Sequence, residues 1–559
     1  MSTTYTSNFE EVANEIIDKS IASIICIDDE LAEPFGGEVD GEKMSKELYD
    51  SFRDVNCSVE FYKYRTHDEW LKKSLFTFKG RDLLILDWQL AKDIPEHSPT
   101  LDIISKAVVK QNLHFMCIYT ATQSSDFPDI IYKINSYFAP FVVDEVKADV
   151  GEIESILDTS GHQLNEVFDS DICGKLKEMV LYRDQAGKVF AEIRKKIQEK
   201  TSEQIFNGIQ QFLLSRVGAK VYPTLLHSFC AIGMVLNKEE IGNNSAVDIN
   251  EIRNYVDKSY LVVNHTIILI TNKSDVVPKD LYGKFKEALM RDSGNFLTLM
   301  GLEMRNLFKE SSGFIGKDID SINELAFFHH REKSNPPEAF YDFLRELWKS
   351  QASSFLYNKM TRPKIFDSLD QYKAEKGIDE KIKNFLSQGN QYEQDLGKLN
   401  YYYNILSPNR EESDILRFGD IFKIYSKEMK PTDHFFLCIT AHCDCLYSED
   451  KIKNLFYFVK GSKGNIKDAL SNGDEGFSSF IKNGTKIDTV NWSHKPVTLY
   501  VKKELNDISK DISVQFGEDE LVLKYHSTLK ENYAQRIANN SFVYPLHVGI
   551  FFADTKVKK

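Results

Sequence analysis

The sequence predicts an α/β protein whose first 150 residues form a five-stranded parallel sheet covered by helices. Three stretches predict it. Leu83-Leu84-Ile85-Leu86 is an unbroken aliphatic run that ends in Asp87-Trp88-Gln89-Leu90. Ile24-Ile25-Cys26-Ile27 runs into Asp28-Asp29-Glu30, and Phe115-Met116-Cys117-Ile118-Tyr119 ends in Thr120-Ala121-Thr122. Strands that are apolar throughout are buried on both faces, as in parallel sheets. Open sheets of this kind place their chemistry beyond the carboxyl ends of the strands. An acid pair, a lone acid and a hydroxyl thus converge on one edge.

The elements follow in order. Phe9 to Ile21 is apolar at positions 9, 12, 13, 16, 17 and 21, the spacing of a helix lying on a sheet. Strand one is Ser23–Ile27, followed by a glycine- and acid-rich loop from Glu33 to Glu42 and a helix near Lys43–Phe52. Cys57–Tyr62 has the composition of strand two, His67–Phe76 of a short helix, and Leu83–Leu86 is strand three. The stretch 101–110 is amphipathic at helical spacing, Phe115–Tyr119 is strand four, a helix is expected at Pro128–Phe138, and Phe141-Val142-Val143 reads as strand five. Strands alternating with helices at this spacing give the parallel sheet.

Composition bounds the rest. A chain of 559 residues divides into two to four domains. Hydrophobic content of 42% with 28% charged residues is ordinary for a soluble protein. A net charge of −14 opposes a nucleic-acid surface. The opening residues lack a basic region followed by an apolar run, and no segment reaches the roughly 18 apolar residues that span a bilayer. Cys26, Cys57, Cys117 and Cys230 lie in apolar runs, as thiols do in a reducing compartment. The expected location is the cytoplasm, with no membrane partner.

Asp28, Asp29 and Asp87 repel one another unless a cation is present, and an oxygen-rich shell suits a hard divalent ion such as Mg²⁺. The Gln89 backbone carbonyl is a candidate further ligand, reached through an exposed Trp88-Gln89 turn. One carboxylate, the central Asp87, would be a nucleophile that accepts a phosphoryl group as an acyl phosphate. Thr120 would donate its hydroxyl to that group. An acid pair after a strand is also ordinary turn or helix-cap chemistry; the agreement of three strand ends argues against that plainer reading.

These segments resemble the receiver domain of two-component response regulators, in Ile27-Asp28-Asp29-Glu30, Leu86-Asp87-Trp88-Gln89-Leu90 and Tyr119-Thr120-Ala121. The resemblance spans residues about 20–147. It implies a flavodoxin-like sheet of strand order 2-1-3-4-5, Asp28 and Asp29 as the acid pocket, Asp87 as phospho-acceptor and Thr120 as switch hydroxyl. It puts the aromatic switch position on Phe141. It further implies Mg²⁺ and a histidine kinase or phosphotransfer protein as partner. Receivers also carry a lysine after strand five. Here Asp144 stands in its place and Lys147 comes three residues late, so either Lys147 bends in or the lysine is missing.

Beyond residue 150 the expected regions are 151–240, a helical connector or start of an output domain; 241–400, mixed and mainly helical; and 401–559, α+β. Helices at 176–199 and 202–214 read as a connector, a homodimer surface or the first helices of the next domain. Leu261 to Ile270 is one or two strands ending in Thr271-Asn272-Lys273-Ser274-Asp275. Asn-Lys-x-Asp reads guanine in GTPases, but the chain has no G-x-x-x-x-G-K-[ST] loop, and Gly36 to Glu42 puts Glu where Lys must be. The run therefore reads as an incidental strand-to-turn feature. His329-His330 is a poor joint ligand pair, since neighbours point apart. His442-Cys443-Asp444-Cys445 is rich in ligands but lacks a second cysteine pair at zinc-site spacing. Its Ile-Thr-Ala-His-Cys-Asp phrase is weakly similar to a strand-end element of proteins that carry receiver-like domains. Three strands (497–501, 512–516, 521–525), a helix at 528–539 and a last strand at Leu546–Phe552 close the chain.

Three functions remain open: a phosphorelay receiver with an output, docking or phosphate-buffering module; an enzyme in the C-terminal half regulated by the receiver; and a scaffold whose Asp87 is never phosphorylated. The buffering version resembles the sink-like receiver protein of bacterial antiviral-defence phosphorelays.

Overall fold

The computed structural model describes residues 9–32, 41–90, 97–110, 114–218, 221–239, 252–292, 296–312, 324–333, 340–341, 343–350, 353, 363–387, 389–407, 416–471, 477–484, 486–501 and 511–543. Most of the loop expected at 33–42, including the Gly36 segment, parts of the mainly helical 241–400 region, and the strand at 546–552 lie outside them. The chain forms two compact units. One comprises Met1–Glu310 with Lys359–Tyr372, the other Ser311–Asn358 with Lys373–Lys559.

The first unit opens as its hydrophobic spacing dictates. Helix α1 (Phe9–Ser20) buries Phe9, Val12, Ala13, Ile16 and Ile17. Then β1 (Ser23–Asp28), α2 (Glu42–Arg53), β2 (Ser58–Lys63), α3 (His67–Thr77), β3 (Leu83–Leu86), α4 (Ser98–Val108), β4 (Phe115–Thr120) and α5 (Phe127–Tyr137) alternate. Strands β1, β3 and β4 are buried almost throughout. At the entry of β3, the buried Asp82 accepts from the N–H groups of Ala22 and Ser23 and pairs with Arg305 and Lys309.

After α5 the structure departs from the expected order. Val143 does not end a strand; it begins α6 (Val143–Thr159), which buries Val146, Asp149, Ile153 and Leu157 at helical spacing. Asp144 and Glu145 sit in its first turn, where carboxylates favour the positive end of the helix dipole. Three apolar residues were too short a run to outweigh that pattern. There follow α7 (Leu164–Val167), α8 (Ser170–Leu181), a 3-10 turn (Arg183–Gln185), α9 (Ala186–Lys200), α10 (Glu203–Arg216) and α11 (Leu225–Leu236). Asp169, Ser202 and Thr224 cap α8, α10 and α11 through their side-chain oxygens.

The chain then returns to the sheet as β5 (Ile252–Tyr255), β6 (Tyr260–Val263) and β7 (Thr266–Asn272), in the overall order β2-β1-β3-β4-β7-β6-β5. β7 runs parallel to β4, and the β6–β5 hairpin extends the sheet antiparallel. The expected five-stranded parallel sheet is thus a seven-stranded mixed one. Its first four strands keep the order 2-1-3-4, and the fifth parallel strand is 266–272 rather than 141–143. All seven residues of β7 are buried. The sheet therefore continues well past residue 150, and the helices from α6 to α11 are an insertion between β4 and β7. One core face holds α4, α5 and the inserted helices; the other holds α1, α2, α12 (Leu281–Asp292) and the start of α13 (Phe296–Ser312).

The second unit is an eight-stranded antiparallel sheet. Its path runs 478–483, 486–500, 455–464, 431–438, 420–426, 519–529, 512–516, with 405–407 paired to 519–529. One face packs on helices Asn390–Asn404 and Glu531–Val543 through Tyr401, Trp492 and Ile537. The other buries Phe422, Phe436, Phe456 and Phe458. The terminal helix starts at Glu531 rather than at Thr528, which still belongs to a strand and donates to the buried Asp420.

Candidate functional site

Parallel pairing puts the carboxyl ends of β1, β3, β4 and β7 side by side. The registers run Ile27 to Leu86, Leu86 to Ile118 and Thr120 to Asn272. Asp28, Asp87, Thr120 and Lys273 stand at these ends. Asp28, Asp87 and Thr120 are 6%, 7% and 2% exposed, so the site is sunk into the sheet edge. Ligand oxygens of Asp28, Asp29 and Asp87 lie within 4.8 Å of one another.

Lys273 completes the set. Its Nζ lies 2.8 Å from Asp28 Oδ2 and 2.9 Å from Asp87 Oδ1. The other oxygen of each acid is held by backbone: Glu30 N–H donates to Asp28 Oδ1 at 2.8 Å, and Gln89 N–H donates to Asp87 Oδ2 at 3.2 Å. The Thr120 hydroxyl donates to Thr122 Oγ1 at 3.0 Å and accepts from the Thr122 N–H at 3.1 Å. The acid loop is confined from behind by Gly41, whose φ is +83° and whose missing Cβ would fall 2.0 Å from the Glu30 carbonyl oxygen. Any side chain there would displace the backbone beside Asp28 and Asp29.

The turn after β7 explains why Lys273 points inward. The Lys273 N–H donates to the Thr120 carbonyl at 2.7 Å, extending the β4–β7 ladder by one residue. Asn272 is buried; its amide donates to the Thr122 carbonyl and its Oδ1 accepts from the N–H groups of Ser274 and Asp275. Asp275 accepts from Ser124 at 2.9 Å. The Asn-Lys-x-Asp run is therefore a strand-end clamp that ties β7 to the β4 loop and aims one lysine at two carboxylates. The run is thus not the incidental strand-to-turn feature expected from its residues alone. The signal lay in Thr266–Asn272 itself, a fourth apolar strand ending in polar residues.

Several expected positions move. Lys147 is exposed on α6, and the lysine at the acid pocket is Lys273. Phe141 is buried in the α5–α6 connection against Tyr222, 5.8 Å between ring centroids; it lies on no strand, and β7 contains no aromatic residue. The ring beside the lysine is Tyr119, with Lys273 Nζ 5.8 Å from its centroid. Trp88 is not exposed: it is 3% accessible and stacks on His97, and its carbonyl accepts from Thr100. Gln89 is exposed next to the acids. Asp144 caps no strand and lies in the first turn of α6.

Burial pushes the Asp87 carboxyl up from 3.8 to about 6; the Lys273 charge opposes this, and Asp28 and Asp29 add to it. Burial works against the charge of Lys273, but Asp87 and Asp28 together hold it above the usual lysine value. An acid with a raised folded-state pKa takes up a proton on folding, so it costs stability as pH climbs from about 4 to about 6. Asp87→Asn removes that cost. Relative to the parent, the mutant is expected to fare better at pH 7 than at pH 3.5 by up to about 3 kcal/mol, read from urea unfolding at the two pH values.

The donor set fits a divalent cation. Three clustered carboxylate oxygens, one of them pushed towards protonation by its neighbours and burial, are what a hard ion relieves. Elsewhere among the described residues no other three ligand groups converge. In the His442–Leu446 helix, Cys445 is buried and Cys443 exposed, so that run is split. His329 and His330 are exposed on the helix Glu324–Lys333.

A family model described as the response receiver domain matches residues 20–172. No curated protein and no solved structure matches the chain. The chain thus carries an N-terminal receiver domain joined to a longer C-terminal region. The match ends within α8, before the strand that supplies Lys273. Among the described residues no helix is long and apolar enough to cross a membrane.

Proposed function

We propose that this protein is a phosphorelay receiver that takes a phosphoryl group onto Asp87 from a histidine kinase or phosphotransfer protein. The observation that supports it best is the Asp28–Lys273–Asp87 bridge inside a pocket of three acids. Asp28, Asp29 and Asp87, with the Gln89 carbonyl, would hold Mg²⁺, which supplies charge neutralisation for the incoming group. Asp87 Oδ1 attacks phosphorus, the P–N bond to the donor imidazole breaks, and its electron pair returns to the ring. Lys273 then exchanges its contact with the carboxylate for one with a phosphoryl oxygen. Thr120 turns its hydroxyl from Thr122 to the same group. A cytoplasmic location and an output, docking or phosphate-buffering role for the second unit complete the reading; buffering is the form that resembles defence phosphorelays. Lys273 favours active chemistry over an inert scaffold, because it supplies at the pocket the cation that Lys147, exposed on α6, does not.

Intact mass tests it. After incubation with Mg²⁺ and acetyl phosphate or the cognate kinase, the parent gains about 80 Da, one phosphoryl group, and Asp87→Asn gains nothing. An unchanged parent mass with both donors leaves the scaffold.

A further inference from the structure

The inserted helices line a half-open cavity of about 500 Å³ at their joint with α5 and β5, within the roughly 300–1,000 Å³ of small-molecule sites. Its walls are mainly apolar: Phe138 at the end of α5, Met179 and Val180 on α8, Cys230 and Met234 on α11 and Ile252 on β5.

One cation lies on its wall. The Arg183 guanidinium donates from Nη1 to the Ile252 carbonyl and from Nη2 to Asn135 Oδ1, each at 3.1 Å. Both acceptors are neutral. Among the described residues no carboxylate pairs with Arg183, and three of its five N–H groups have no acceptor there. Arg183 is exposed as a residue, so it stands at the mouth of the cavity with water at its remaining N–H groups, and it stays charged.

The guanidinium is also held in place. Asn135 is 2% exposed and sits inside α5, a position where asparagine is a poor helix former. Its Nδ2 donates to the Ile131 carbonyl at 2.8 Å and to Asn254 Oδ1 at 2.9 Å, and Asn254 donates onward to the Val180 carbonyl at 3.0 Å. This network orients Asn135 Oδ1 towards Arg183. His227 lines the same cavity, with Nδ1 bonded to Thr224 Oγ1 at 2.7 Å. Partial desolvation and the nearby Arg183 charge lower its pKa, so it offers a hydrogen bond rather than a second charge.

We propose that this cavity binds a small amphiphilic carboxylate, with its apolar body among Phe138, Met179 and Met234 and its carboxylate on the free edge of Arg183. One positioned guanidinium matches one planar carboxylate, and the apolar walls match a chain or ring better than a polyanion.

Calorimetry on the full chain tests it with decanoate, decanol and decyltrimethylammonium. Saturable one-to-one binding of decanoate is expected, tighter than that of the other two. Arg183→Met should weaken decanoate at least tenfold and leave decanol unchanged, and Met179→Trp, which fills the cavity, should abolish both. Absence of saturable decanoate binding, equal binding of the cation, or decanoate binding unaffected by Met179→Trp would overturn the proposal. Thermal unfolding of each variant separates lost binding from lost folding; should Arg183→Met fail to fold, Met179→Trp and the three-ligand comparison decide. None of these readouts involves phosphorylation.

Discussion

Lys273→Met is expected to destabilise the first unit by about 3–5 kcal/mol without added cation, the cost of removing one partner from a buried ion pair. Lys273 bridges Asp28 and Asp87, and its side chain is only 18% exposed. Without it, buried carboxylates repel one another with no neutralising charge. The loss should shrink as pH falls below 6, because Asp87 then protonates and the repulsion eases. Millimolar Mg²⁺ should return most of the stability at pH 7.5 by occupying the acid pocket. Lys147→Met changes stability by less than about 0.5 kcal/mol, as exposed substitutions do. Urea unfolding of both variants with and without Mg²⁺ checks the assignment. A silent Lys273→Met would show that the bridge contributes nothing to the fold.

Cutting the chain after residue 172, where the family match ends, is expected to abolish folding rather than to isolate a receiver. The fragment lacks β7, whose Ile267, Ile268, Leu269 and Ile270 are 7%, 0%, 6% and 2% exposed. At about 2 kcal/mol for each buried aliphatic side chain, their loss rivals the roughly 5–15 kcal/mol that holds a domain together. It also strips six paired positions from β4, leaving a central apolar strand as an open edge prone to aggregation. A fragment of residues 1–372 retains every strand of the sheet and should stay soluble with a cooperative transition. Expression, size exclusion and amide exchange on the two fragments decide; a soluble, folded 1–172 would show that β7 is dispensable.

Both results turn on the difference between local pattern and long-range pairing. Leu83–Leu86, Ile24–Ile27 and Phe115–Tyr119 were readable because a strand buried on both faces has one composition, whatever its neighbours. The acids and Thr120 followed, since the residue after such a strand lies at the sheet edge. Helices α1 and α4 declared themselves through 3.6-residue spacing.

The fifth strand was not readable in that way. Continuity along the chain favoured Phe141-Val142-Val143 as the next strand, but that run leads into a helix with acids in its first turn and a buried stripe from Val146 to Leu157. Only the fold joins Thr266–Asn272 to β4 across the inserted helices, and only that pairing brings Lys273 to Asp28 and Asp87. The same distance hid the cavity, whose Arg183, Asn135 and Ile252 come from three separate elements. Sequence by itself therefore determined the acid pocket, because each carboxylate is placed by its own strand. Tertiary structure decided the cation that neutralises it, because a buried charge is matched by whatever partner the packed sheet carries close to it, however far away in the chain.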